Sequence, residues 1–493
     1  MSFPIHPLIF AIFPVIFLFS LNINSLNHEE VIIPIIIVPV ISLALWGLLS
    51  LVLKNSLKAG MIISVGILVF FTYGHIHNIL IESDIAGDFS RHRYLLIPFF
   101  MTFVISTIYF VRTNRLLDNT TKIINGVSIA IILITLVNVA SFSISETSIS
   151  TENENQETNL VYHTSVPDIY LIVLDGYAGE TILNSVYDYD NSEFLKSLEK
   201  YDFHIIENAK SNYPITTHTF SSMLNLKYIN YVGDELGKDS KNIHPLTNMI
   251  VNNKVVQDLK SLGYKTIVLG SSVKFTTDLS EADLILCRNN DKINSEFNIS
   301  LFKTSIMKPI YSLLFESHRD KTLCSLSELP NVHNKFDEPT FVLAHFLLPH
   351  PPNIFGPNGE EVEVKTIEVT DSWGDKEGYI DQVKFSNKKM LEFIESIPLD
   401  NNSPIIIIMG DHGTGSTGLI SDDQKIKERM MILNAIRLPG IEEKPYDGIT
   451  PVNTFRLIFN SYFGGNYEYL EDKTYLSQHS APYNFTDVTE KLN

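Results

Sequence analysis

Residues 404–413 read PIIIIMGDHG, a continuous apolar run that stops at Gly410 and delivers Asp411, His412 and Gly413. A run this short and this apolar, bounded by Pro and Gly, suits a strand covered on both faces, as in a parallel sheet. The same grammar recurs at IYLIVL, 169–174, which runs straight into Asp175-Gly176. Further short β-rich runs lie at 265–270 (KTIVLG), 282–287 (ADLILC), 340–347 (TFVLAHFL) and 430–438 (MMILNAIRL). Helical patterns separate several of them, at 191–201, 248–263 and 378–397. Strands alternating with amphipathic helices predict an α/β domain with a mostly parallel central sheet. In such sheets ligands bind beyond the carboxyl ends of the strands, so chemistry is to be sought just after each run.

Asp175, Asp411 and His412 occupy such positions. Two carboxylates and an imidazole suit a divalent cation; Asp before Gly after a strand is also ordinary turn chemistry. Residues 211–225, SNYPITTHTFSSMLN, place Pro214 at the entry to a helix and crowd its first turn with hydroxyls. Free N–H groups and the helix dipole favour an anion there. A single Ser or Thr N-cap explains one hydroxyl but does not require Thr216, Thr217 and Thr219 together. A threonine whose oxygen sits on a metal can act as an alkoxide nucleophile and form a covalent phospho-enzyme. HFLLPHPPNIF, 345–355, adds two histidines. His350 opens a Pro-Pro loop at the same edge, where it can meet a substrate or leaving group. His345 falls inside the apolar run and reads as a packed core histidine.

The 493-residue chain divides sharply at residue 143. Residues 1–143 hold seven Lys/Arg and six acids, whereas the remainder carries 30 basic and 50 acidic groups. So acidic a remainder repels phosphate backbones and argues against nucleic acid as a partner. Five apolar stretches, at 7–25, 31–53, 60–80, 94–111 and 123–143, approach the ~20 residues a helix needs to span a bilayer. A signal peptide at the first is disfavoured by the lack of a basic n-region and a small-x-small cleavage site. Lys54 and Lys58 lie between spans two and three, and Arg112, Arg115 and Lys122 between spans four and five. The positive-inside rule keeps these loops cytoplasmic and puts everything after 143 outside the cell membrane. His75 and His77 then lie toward the outer end of the third span.

The expected domains are therefore a transmembrane bundle at 1–143, a solvated Ser/Thr/Glu/Asn-rich linker at 144–165 and an extracytoplasmic domain at 166–493. With only two cysteines, a disulfide scaffold and a Cys-rich metal protein are excluded. In an oxidising compartment Cys287 and Cys324 can pair, and two buried thiols are an equal alternative.

Taken together, VLDG at Asp175, NYPITTHTFSSMLN at Thr216, LLPHPP at His350, MGDHG at Asp411-His412, and the later ILNAIRLPG and ITPVNTFRLIFN resemble the alkaline phosphatase and sulfatase superfamily. Within it, the likeness is to membrane-anchored enzymes such as lipoteichoic acid synthase and other phosphoglycerol transferases. It covers about residues 166–470, and five spans before an extracellular domain match that layout. The resemblance implies an alkaline phosphatase-like fold and one divalent metal ion, manganese, magnesium, zinc or calcium, on Asp175, Thr216, Asp411 and His412. It implies Thr216 as nucleophile and His350 as the residue that binds substrate or protonates the leaving group. The partners implied are a membrane phospholipid donor and a glycan or lipid acceptor.

Three departures bear on this. Lipoteichoic acid synthases and phosphoethanolamine transferases have Glu where Asp175 stands, whereas sulfatases and nucleotide phosphodiesterases have Asp. The C/S-x-P-x-R motif of formylglycine sulfatases is missing from 211–225. The Asp-x-x-x-His pair of two-zinc phosphodiesterases is not found either. The leading expectation is a metal-dependent transferase working through phospho-Thr216. A phosphoester or sulfoester hydrolase with the same site is the alternative, and a non-catalytic membrane scaffold is a second.

Overall fold

The computed structural model describes residues 3–26, 28–82, 91–146, 160, 166–288, 295–311, 317–362, 372–398, 403–415, 422–442 and 444–492. The linker at 144–165 lies outside the described residues apart from 144–146 and Leu160. The chain forms two compact units. One comprises the described residues of Met1–Ser148 together with those of Asn289–Glu316; the other holds the rest.

The first unit is helical: α1 (His6–Leu21), α2 (Ile32–Leu53), α3 (Ser56–Glu82), α4 (His92–Arg112) and α5 (Asp118–Glu146). The last four are long and apolar enough to cross a membrane, whereas α1 has 16 residues, about 24 Å at 1.5 Å per residue. The five apolar stretches are thus five helices, of which four have full spanning length. Ile36, Ile37, Leu48, Leu51 and Val52 of α2 and Ile97, Phe100 and Ile105 of α4 point outward and are exposed. Apolar side chains on the outside, with every backbone group bonded within a helix, are what hydrocarbon demands and water penalises.

The helix Glu296–Thr304, from the middle of the chain, belongs to this unit. Its Phe297 and Leu301 pack with Val15, Leu18, Leu26 and Val31. Ile306 N–H donates to the Phe70 carbonyl at 2.8 Å, and Lys308 Nζ donates to His77 Nδ1 at 2.8 Å and to Asn78. Gly74 makes the approach possible, since a Cβ there would lie 2.1 Å from the Lys303 carbonyl oxygen. A boundary at 143–166 takes no account of this insertion.

The second unit is built on a seven-stranded sheet: β1 (Ile169–Leu174), β2 (His204–Ile205), β3 (Lys265–Leu269), β4 (Leu284–Leu286), β5 (Thr340–Phe346), β6 (Ile405–Met409) and β7 (Asn434–Arg437), in the order β2-β7-β6-β1-β5-β3-β4. Strands β6, β1, β5, β3 and β4 run parallel; β7 is antiparallel to both β6 and β2. The central strands β1, β5 and β6 are buried on both faces, so alternation along each of them sorts side chains between two cores. Tyr170, Ile172, Val342, Ala344, Ile406 and Ile408 enter one. Leu171, Val173, Phe341, Leu343, Ile407 and Met409 enter the other.

Three elements depart from expectation. The helix read at 248–263 is two, His244–Val251 and Lys254–Ser261; Asn253 accepts from Val256 N–H at 2.9 Å and so caps a new start. The run at 430–438 is a strand only over 434–437, because Met430 still closes the helix Asp423–Met430. A second sheet, β8 (Tyr475–Gln478) with β9 (Ala481–Asp487), follows near the end of the chain. Cys287 and Cys324, both in the second unit, are joined by a disulfide.

Candidate active site

Parallel register assembles the site. Val173 of β1 is level with Met409 of β6 and with His345 of β5. Asp175 and Asp411 each lie two residues further on, so the two carboxylates emerge side by side at the carboxyl edge, on the face that His345 also serves. Gly176 takes φ +72 to turn the chain there, a conformation open to Gly at little cost. Its N–H donates to Asp411 Oδ1 at 3.1 Å.

The helix Thr216–Leu224 ends at the same edge, with Thr216 at its first position. Thr216 Oγ lies 3.4 Å from His412 Nε2. The neighbouring hydroxyls have other duties. Thr219 Oγ lies 3.0 Å from the Asp411 carbonyl, where Ser211 Oγ also donates, and Thr217 Oγ contacts His218 Nδ1 at 3.1 Å. Of the three threonines singled out in sequence, one faces the carboxylates and the others hold the loop and helix.

Each histidine is pinned through Nδ1, leaving Nε2 for the site. His412 Nδ1 donates to the Gly413 carbonyl at 2.8 Å, and His350 Nδ1 to that of Pro351 at 2.5 Å. His345 Nδ1 lies 3.0 Å from Thr276 Oγ. His412 Nε2 is 3.4 Å from Asp175 Oδ1 and 3.6 Å from Asp411 Oδ2, while His345 Nε2 is 3.4 Å from Asp175 Oδ2. Ligand atoms converge in two groups, Asp175–His350–His412 and Asp175–His345–Asp411, each within 4.8 Å of one another.

The electrostatics follow from this crowding. Burial pushes the Asp175 carboxyl up, but His350, His345 and His412 outweigh it and hold the group below the usual carboxylate range. At Asp411 burial and the Asp175 charge act together and raise it. Burial, with Arg429 second, drives His412 well down. Asp175 Oδ1, Asp411 Oδ2 and His345 Nε2 are buried and make no hydrogen bond. Unpaired buried acceptors are costly, and here they converge as the N/O donor set of a divalent cation, with the imidazole N–H groups anchored as such ligands require. The residues present fit a metal ion.

The site therefore joins Asp175, Thr216, His350, Asp411 and His412, and adds His345. Inside a strand His345 reads as core, yet alternation places it on the face that carries Asp175. Arg429 and Tyr379 also take part, as supports. Arg429 Nε and Nη2 donate to the Pro214 carbonyl, and Nη1 to those of Gly413 and Gly415. Tyr379 donates to the Gly176 carbonyl at 2.9 Å and accepts from Ala178 N–H at 3.1 Å. Gln382, one turn on, donates to the carbonyls of Pro349 and His350 and accepts from Ile354 N–H. His318, whose ring nitrogen meets Ser272 Oγ at 2.8 Å, is a half-buried histidine that no sequence pattern marks.

No protein-family model and no curated protein matches the chain. Among solved structures it is similar to the C-terminal periplasmic domain of EcEptC from Escherichia coli in complex with zinc. That match has a TM-score of 0.46 and 12% identity, over 67% of this chain and 95% of the other. It is also similar to a protein in the alkaline phosphatase superfamily from Vibrio parahaemolyticus, with a TM-score of 0.42 and 12% identity over 68% and 80% of the chains. The integral membrane lipooligosaccharide phosphoethanolamine transferase A from Neisseria meningitidis matches with a TM-score of 0.39 and 10% identity over 88% of both.

Proposed function

We propose that this chain is a metal-dependent transferase that moves a phospho-substituted group from a membrane phospholipid to a glycan or lipid acceptor of the cell envelope. The observation that carries the reading is the Thr216 hydroxyl, 3.4 Å from His412 Nε2, at a sheet edge where unpaired buried acceptors converge. On this reading Asp175, Thr216, Asp411 and His412 hold the ion. A bound divalent cation draws charge from a hydroxyl and from phosphoryl oxygens.

Thr216 Oγ attacks the phosphorus of the donor, and the bond from phosphorus to the diacylglycerol oxygen breaks. His350 supplies the proton that oxygen takes up, through Nε2, since Nδ1 is committed to Pro351. The Thr216 proton passes to solvent. The headgroup phosphate is then carried on Thr216 as a diester. An acceptor hydroxyl attacks the same phosphorus and gives its proton to His350 Nε2, the bond from phosphorus to Thr216 Oγ breaks, and that oxygen takes a proton from solvent to restore the hydroxyl.

Two features favour a lipid donor and an extracytoplasmic site. Five apolar helices exceed what anchoring a soluble hydrolase needs. The Cys287–Cys324 disulfide suits an oxidising compartment, in agreement with the basic loops. Full-length protein given headgroup-labelled phospholipid is expected to release diacylglycerol and to pass the label to a glycan or lipid. Label recovered entirely as free water-soluble phosphoester assigns the site to a hydrolase instead.

A further inference from the structure

We infer that the helical unit carries a site for one phospholipid of net negative charge, with an acyl chain in a groove between α3 and α4 and the phosphate on a cluster of His77, His92 and Lys308. The inference deepens the lipid-donor reading and rests on it for the lipid's fate, while the binding is tested apart from turnover.

Depth follows from residue spacing. Lys58 of α3 donates through Nζ to the Val111 carbonyl of α4 at 2.9 Å, so these two ends meet. His77 stands 19 residues beyond Lys58 on α3, and His92 stands 20 residues before Arg112 on α4. At 1.5 Å per residue both imidazoles lie about 30 Å away, the thickness of the hydrocarbon core. There the two rings stack, with centroids 4.1 Å apart. Tyr73 Oη lies 2.8 Å from His92 Nδ1, and Lys308 Nζ donates to His77 Nδ1 at 2.8 Å and to Asn78. With Nδ1 taken as an acceptor, His77 keeps Nε2–H as a donor. An ammonium beside an imidazole N–H suits phosphate oxygens, which only accept. Arg91 and Arg93 stand exposed at the start of α4. On the orientation expected from the basic loops this is the outer end, where the positive-inside rule disfavours them; an anionic headgroup supplies the reason for them.

The groove begins two turns below. Phe70 precedes His77 by seven residues and Phe99 follows His92 by seven. On each helix such a pair shares a face, about 10 Å apart along the axis. Phe70 and Phe99, with Val69, Phe103 and Ile306, line a space of about 200 Å³. It is continuous with the cluster, since the Phe99 ring lies 5.1 Å from that of Tyr73 and Ile306 is two residues before Lys308. An apolar groove leading up to a cationic cluster at headgroup depth matches a chain beneath a phosphate.

The test uses chelator-stripped full-length protein in detergent, so that bound lipid is not consumed. It is titrated with phosphatidylglycerol and, separately, with diacylglycerol of the same chains, and bound lipid is counted by native mass spectrometry. Wild type is expected to hold one phosphatidylglycerol ~10- to 100-fold more tightly than diacylglycerol. Lys308→Met is expected to abolish that preference, and Val69→Trp, which fills the groove, to weaken both lipids. Arg91→Gln combined with Arg93→Gln changes exposed side chains only and is expected to weaken phosphatidylglycerol alone; it decides the matter should Lys308→Met not fold. Equal binding of the two lipids by wild type, equal competition by soluble glycerol phosphate, or a preference unchanged in the lysine and arginine variants overturns the site. Turnover of labelled phospholipid by the metal-loaded protein in that case leaves the transferase reading standing. Phosphatidylglycerol held as expected, with no phospholipid turned over by the metal-loaded protein, overturns the donor reading and leaves the site in place.

Discussion

Arg429 shows how a residue away from the chemistry can set it. All its bonds go to backbone carbonyls, at Pro214 before Thr216 and at Gly413 and Gly415 after Asp411-His412. Arg429→Lys keeps the charge but cannot span three carbonyls in a fixed fork. It is expected to lower ion affinity by roughly 10- to 100-fold, read by titration with zinc; unchanged affinity would make the clamp incidental. Asp175, Asp411 and His412 were readable in sequence because each directly follows an apolar run. Thr216 stood out through the density of hydroxyls around it. Arg429 was not readable in role, since its partners are carbonyls brought from two distant loops. His345 was read as core because an apolar strand hides which face a histidine serves until its neighbours are known.

The helix Lys376–Ser396 acts as a template for the edge. Tyr379 and Gln382 lie one turn apart and hold the turn after Asp175 and the loop of His350 respectively. Tyr379→Phe leaves the buried Gly176 carbonyl and Ala178 N–H without their partner, a cost of about 1–3 kcal/mol. Thermal unfolding should show the loss, and ion affinity should fall with it. A variant as stable as wild type and with full ion affinity would mean that Tyr379 does not hold the edge. Parallel strands were legible as unbroken apolar runs, and this amphipathic helix by its period. The split at Asn253 and the short β2 were not, because one is decided by a local cap and the other by pairing with β7. The polar β8–β9 pair carries no apolar run to announce it.

At the level of the whole chain, the basic residues at the junctions of α2 with α3 and of α4 with α5 predict, by the positive-inside rule, that residues after 146 lie outside the cell membrane. Protease added to spheroplasts should therefore cut within 147–165, and cleavage only after lysis would reverse the orientation. The five apolar helices could be read from composition alone, but the return of Glu296–Thr304 to the helical unit could not. Its nine residues are too few to signal a membrane partner, and its fit depends on the missing side chain of Gly74. On the proposed mechanism Thr216 carries the transferred group. Full-length protein should be incubated with headgroup-labelled phospholipid, quenched and digested, and its peptides weighed by mass spectrometry. The headgroup phosphate mass is expected on Thr216, with no adduct and turnover lower by on the order of 10³-fold in Thr216→Ala. Wild type that turns the lipid over with no adduct at Thr216, matched by an equally active Thr216→Ala, would contradict it.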